Sequence, residues 1–207
     1  MNIQQLKESL DKVASRISEL SLNEGATDLE IEQFEQAINS SLPDDLKQLY
    51  EHINGNNQDE NFGNFFYGLT FYSIEEAIAS WNWRKKFSED GNSQMLTIYD
   101  KEIYGLNLYN SNWIPIDTDG SRCELCVDLS PTEFGTYGQI IFLEGTYNIG
   151  IVAANSTTKL IEQFIDDLNN GHYYLATDAL EDGEHWLETK DTIDLVRKAL
   201  QKSKASN

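Results

Sequence analysis

Ile3, Leu6, Leu10, Val13, Ile17 and Leu20 recur at alternating steps of three and four, the spacing of a helix with one apolar face. Asn23-Glu24-Gly25-Ala26 breaks that spacing, so residues 1–22 are read as an appended helix. Thr27 with Glu30 then forms a capping box ahead of Ile31, Phe34 and Ile38, which predicts a second helix over about 28–39. Pro43 with Asp44 and Asp45 begins a third, with Leu46, Leu49, Tyr50 and Ile53 on its apolar side and Asn54-Gly55 as its stop. The polar run 54–61 is expected to be an exposed loop. Phe65 to Tyr72 predicts a strand, and Ser73 with Glu76 caps a helix carrying Ile74, Ala77, Ile78 and Trp81. A long polar excursion follows, with one more strand expected between Met95 and Leu108.

Trp113 to Ile116, Leu125 to Leu129 and Gly138 to Phe142 are short apolar runs joined by polar turns, and Ile149 to Ala153 is a further one. They predict neighbouring strands of one sheet. Thr157 or Thr158 then opens a helix with Leu160, Ile161, Phe164, Ile165 and Leu168 inside, closed by Asn169-Asn170-Gly171. A last, weakly apolar helix is expected at about 190–202, after an acidic stretch that holds Asp178, Glu181, Asp182, Glu184 and Glu188. Strands clustered between flanking helices predict an α+β fold with a mixed, mainly antiparallel sheet. The expected organisation is an appended helix at 1–22, one domain over 23–175, and an acidic segment with a C-terminal helix at 176–207.

Several of these runs occur in an order that resembles one family. Ser41-Leu42-Pro43-Asp44-Asp45-Leu46-Lys47-Gln48-Leu49-Tyr50, ending in Asn54-Gly55, is similar to its opening helices, and Phe71-Tyr72-Ser73-Ile74-Glu75-Glu76-Ala77 to its strand-to-helix step. Trp113-Ile114-Pro115-Ile116 with Asp119-Gly120, Leu125-Cys126-Val127-Asp128-Leu129, and Gly138-Gln139-Ile140-Ile141 complete the series. Over roughly residues 26–172 the chain resembles the SMI1/KNR4 family, also called the SUKH superfamily. The resemblance implies a domain that binds another protein. Bacterial members are largely immunity proteins that neutralise toxins, and fungal members regulate cell wall assembly. Residues 83–112 are longer than a minimal member needs, and the last 35 residues have no family counterpart.

Composition narrows the partners. Acidic residues outnumber basic ones 35 to 15 in 207 residues, for a formal net charge of −20, which disfavours nucleic acid and anionic membranes. The excess is uneven. From Glu24 to Glu60 ten acidic residues face Lys47 alone, whereas residues 1–20 carry three of each sign. Asp28, Glu32 and Glu35 share one side of the second helix, where each like-charged neighbouring pair costs about 0.2–0.5 kcal/mol. A hydrophobic fraction of 40% is enough for a core, and no segment has the ~20 apolar residues of a membrane span. The N-terminus lacks a basic region followed by an apolar one, and two cysteines do not make a disulfide framework, so a soluble, cytoplasmic protein is expected.

No residue pattern supports catalysis. Cys123-Glu124-Leu125-Cys126 has the spacing of a zinc or redox pair, but on a strand i and i+3 point to opposite faces. Asp117, Asp119, Ser121 and Asp128 imitate a calcium loop, yet the sixth and twelfth positions are Arg122 and Asp128 instead of Gly and Glu. His52, His172 and His185 have no catalytic context. The expectation is therefore a non-enzyme without cofactor or metal, and the resemblance implies that its partner is a protein, a cognate toxin domain with a basic surface. The candidate partner-binding residues are Asp28, Glu32, Glu35, Asp44 and Asp45 on the helices, Trp83 beyond the core position Trp81, and Asp117, Asp119 and Glu124 on the sheet side. The alternative is a regulatory scaffold for cell wall assembly or glucan synthesis.

Overall fold

The apolar stripe of the N-terminal segment folds as helix α1 (Ile3–Arg16), continued by a π-helical turn (Ile17–Ser21). Leu6, Leu10, Ala14 and Ile17 are fully buried in the common core, where α1 packs against α5 (Thr157–Asn169). The segment expected as an appendage is thus built into the domain. These coordinates are a computed structural model that describes residues 2–57 and 63–205.

Both capping boxes close. The Glu30 carboxylate accepts from the Thr27 N–H at 2.7 Å at the start of α2 (Asp28–Ile38), and Asn39, left-handed at φ 52°, ends that helix. Helix α3 (Asp44–His52) follows from Pro43. The Glu76 carboxylate likewise accepts from the Ser73 N–H at 2.8 Å at the start of α4 (Ile74–Glu89). Helix α4 extends past Trp81 and takes Trp83 to Glu89 out of the expected excursion.

Two expectations before α4 fail, each for its own local reason. Of the loop expected to be exposed, Gly55 and Asn56 are buried, while residues 58–61 lie outside the described ones. Asn56 acts as a short strand partner: its N–H donates to Phe71 O and its Oδ1 accepts from Phe71 N, both at 2.7 Å. Gly55, at φ 80°, lies so close to the chain that a Cβ there would meet Ser73 N at 2.2 Å. The run Phe65 to Tyr72 is interrupted by a 3-10 turn (Phe66–Gly68), with Tyr67 at φ 52° and Gly68 at φ 79° turning the backbone out of extended geometry. Only β1 (Thr70–Phe71) remains as strand.

One six-stranded sheet has the order β1-β3-β4-β5-β6-β2, with β2 (Ile98–Tyr99), β3 (Trp113–Thr118), β4 (Cys123–Asp128), β5 (Gln139–Glu144) and β6 (Ile149–Ala154). Strands β3 to β6 form an antiparallel meander, β1 lies antiparallel to β3, and β2 is parallel to β6. The architecture is the α+β fold with a mixed, mainly antiparallel sheet. Its strands are apolar almost throughout because both faces are covered. Ile114, Ile116, Leu125, Val127, Ile140 and Phe142 face the helices, whereas Trp113, Cys126, Ile141 and Leu143 face the excursion, whose Leu96, Ile103 and Leu108 pack on them. On the helix side, Phe65, Phe66, Phe71, Phe164 and Tyr173 form a continuous ring cluster with centroids 4.4–6.0 Å apart.

The C-terminal part is more ordered than its composition suggested. β7 (Tyr173–Leu175) and β8 (Leu187–Thr189) form an antiparallel pair around the short α6 (Thr177–Glu181). The last helix is α7 (Leu195–Ala205), later than the expected 190–202, and it packs on β2 and β6. Ile193, Leu195 and Ala199 are its buried anchors.

Candidate protein-binding surface

The acidic residues of α2 and α3 divide into structural and free ones. Lys47 Nζ lies 3.5 Å from Glu35 Oε1 and 3.1 Å from Asp44 Oδ1, so the lone cation of this region serves two carboxylates. Glu35 also accepts from the Leu42 N–H at 2.9 Å, fixing the α2–α3 corner. Asp45 accepts from the Thr158 N–H at 2.8 Å and so helps Ser156 cap α5. Asp28 and Glu32 of α2 remain, with Glu51 near the end of α3: all three are exposed, and none has a salt bridge among the described residues. Glu30, also on α2, is committed to its cap; the Thr27 backbone N–H, then its hydroxyl, hold its carboxyl below the usual range.

The sheet-side candidates do not gather into one site. Asp117 is fully buried, which removes it from the candidate surface: the register shift between Pro115 and Asp117 in the β3–β4 ladder accompanies a side chain pointing into the protein. Its Oδ1 accepts from Thr118 N at 3.1 Å and its Oδ2 has no partner, so burial pushes its pKa well above the usual carboxylate value. Asp119 is exposed, but its Oδ1 accepts from the N–H groups of Ser121, Arg122 and Cys123 at 2.7–2.9 Å and folds the turn that Gly120, at φ 72°, completes. Burial raises the Asp119 pKa, and the N–H groups of Cys123, Arg122 and Ser121 outweigh it and leave the carboxyl below its usual value. Glu124 is paired with Arg84 of α4, a buried guanidinium that also donates to Leu108 O and so holds the excursion to the helix.

Trp83 is 57% exposed and does not stand alone. Its ring stacks on Phe87 at 5.1 Å, and Phe87 meets Tyr109 edge-on at 4.8 Å. The i, i+4 spacing of Trp83 and Phe87 was available in the sequence, whereas Tyr109 arrives from the excursion and left no periodic signal. Cys123 packs against the helix-side core and Cys126 against the excursion side, so the two thiols cannot meet. Burial, then the charge of Asp119, pushes the Cys123 thiol up to about 12, and burial raises Cys126 as well. His185 is a structural acceptor for Arg16 N at 3.2 Å, and His172 contacts Asp167 at 2.7 Å.

The geometry is therefore that of two patches outside the sheet, an acidic one on α2 and an aromatic one on α4 with Tyr109, while of the sheet-side carboxylates Asp117 is buried and Asp119 and Glu124 are taken up by the turn and by Arg84. No helix among the described residues is long and apolar enough to cross a membrane. Comparison with protein families matches residues 25–163 to the SMI1 / KNR4 family (SUKH-1). The chain is 24% identical over 198 residues to the glucan synthesis regulatory protein of Neurospora crassa, covering 77% of this chain and 36% of that protein. It is 24% identical over 191 residues to the cell wall assembly regulator SMI1 of Saccharomyces cerevisiae, covering 76% and 38%. A KNR4/SMI1 homolog of Kluyveromyces lactis is 33% identical over 66 residues, 32% of this chain and 12% of that protein. The chain spans little more than a third of the length of the first two.

Proposed function

Because the chain belongs to the SMI1/KNR4 family (SUKH-1), we propose that it is a non-catalytic protein-binding domain serving as an immunity protein, which neutralises a cognate toxin by direct binding. The observation that supports this reading is the pair Asp28 and Glu32 on the exposed side of α2, without a salt bridge among the described residues, in a chain of net charge −20. Like charges one turn apart cost a helix about 0.2–0.5 kcal/mol, and the attraction of the helix N-terminus reaches Asp28 but not Glu32, so Glu32 does not serve α2 itself. Exposed carboxylates attract a basic surface over about a Debye length and raise the rate of encounter. A nuclease toxin has to present such a surface to hold phosphates, and an acidic protein seated there excludes the substrate. The aromatic cluster of Trp83, Phe87 and Tyr109 is of the type that supplies buried contact area once the partners have met.

A second reading, a regulatory scaffold for cell wall assembly or glucan synthesis, is favoured by the names of the Neurospora and Saccharomyces relatives. The two separate in one experiment. The chain is co-expressed with the product of the adjacent gene, and growth and co-purification are both followed. Immunity requires that the neighbour be toxic when expressed alone and harmless in a stoichiometric complex with this chain. A harmless neighbour, together with co-purification of wall-synthesis proteins, would replace immunity with the scaffold reading.

A further inference from the structure

The β7–β8 pair and α6 face the 3-10 turn Phe66–Gly68 across a cleft of about 650 Å³. That volume lies within the range of about 300–1,000 Å³ typical of ligand sites. Its walls are held by direct bonds. Asn64 donates to Gly68 O at 2.8 Å and to Leu187 O at 3.1 Å, and accepts from Leu187 N at 2.7 Å, while the Tyr173 hydroxyl accepts from Tyr67 N at 3.0 Å. Gly68 packs so tightly that a Cβ would meet Leu187 O at 2.8 Å. The cleft is thus open space between two joined walls, with no helix or strand of the described residues filling it.

Its lining combines three aromatic rings, Tyr67, Tyr174 and Trp186, with the carboxylates of Asp178, Asp182, Glu184 and Glu188. None of these carboxylates pairs with a lysine or arginine among the described residues. Two of them orient the rings instead: Glu184 accepts from Trp186 Nε1 at 2.5 Å, and Glu188 hydrogen-bonds the Tyr174 hydroxyl. Aromatic faces and carboxylates attract the same ligand, a cation. Among cations, a planar guanidinium uses both, stacking on a ring while its N–H fork meets carboxylate oxygens. Anions are repelled, and an uncharged apolar group leaves the carboxylates without a partner.

We propose that this cleft binds an arginine side chain from a basic peptide segment of another protein. The inference goes beyond the immunity reading: Tyr174, Asp182, Glu184, Trp186 and Glu188 lie past the family-matched residues 25–163. It stands or falls separately from the acidic side of α2.

The test is titration of the full chain with fluorescein-labelled hexa-arginine at physiological salt, read by anisotropy. D182N/E188Q is expected to weaken binding about tenfold, and W186A about fivefold, whereas the charge-matched pair D28N/E32Q stays within about twofold. Loss of affinity in D28N/E32Q equal to that in D182N/E188Q would overturn the proposal, because attraction would then follow overall charge. Unchanged binding in W186A would overturn it too, and circular dichroism checks that this variant is folded. Y174F/W186F, which keeps the rings, should restore most of the affinity lost in W186A. Spermine displacing the peptide as well as unlabelled hexa-arginine does would assign the cleft to free polyamines and overturn the peptide assignment.

Discussion

Asp117 shows how one side chain can carry more information in the structure than in the sequence. Its position after Trp113-Ile114-Pro115-Ile116 suggested a surface carboxylate at a strand end, and the fold buries it completely with Oδ2 unpartnered. Burial raises its pKa well above 3.8, against the weaker opposing bond from the Thr118 N–H. The folded chain therefore binds this proton more tightly than the unfolded one. Stability from this group is full below 3.8 and is lost as pH rises from there through the raised folded value. Asp117→Asn keeps the acceptor for Thr118 N and removes the charge. It is expected to raise stability at neutral pH by on the order of 1 kcal/mol and to flatten its decline with pH. Urea denaturation of both proteins from acidic to neutral pH measures this, and parallel curves would show that Asp117 is not held neutral.

At the scale of the element, α2 separates structural charge from free charge. Glu35 is tied to Leu42 and Lys47, so a clean test of the acidic face leaves it in place and changes only Asp28 and Glu32. Removing that pair relieves about 0.2–0.5 kcal/mol of repulsion but gives up about 0.3–1 kcal/mol of attraction between Asp28 and the helix N-terminus. These nearly cancel, and the melting temperature of D28N/E32Q should stay close to wild type. Association with the cognate partner should slow by about two- to tenfold at low salt and converge with wild type near 1 M, where the Debye length is about 3 Å. Stopped-flow rates equal to wild type at both salts would leave the face as a solubilising one.

For the whole molecule, the segment after His172 closes the core. The family match ends at residue 163, yet Tyr173, Leu187, Ile193 and Leu195 are buried against the same helices and sheet. Each such apolar side chain contributes about 1.5–3 kcal/mol, and together they rival the 5–15 kcal/mol by which a domain is stable. A chain ending at His172 is expected to lose its cooperative unfolding transition and near-UV dichroism; an unchanged denaturation midpoint would refute that. Helices α2, α3, α4 and α5 and the meander β3 to β6 were legible in the order of residues, because caps and apolar periodicity are local and their partners lie within a turn or in the next strand. So were the opposite faces of Cys123 and Cys126, through the two-residue period of a strand. The burial of Asp117, the strand-like role of Asn56 and the meeting of Tyr109 with Trp83 and Phe87 came from the folded chain alone. Only it built the cleft, whose walls are 100 and more residues apart in sequence: the bond from Asn64 to Leu187 spans 123. Such contacts follow from which surfaces the whole chain leaves to meet, and no local spacing encodes them.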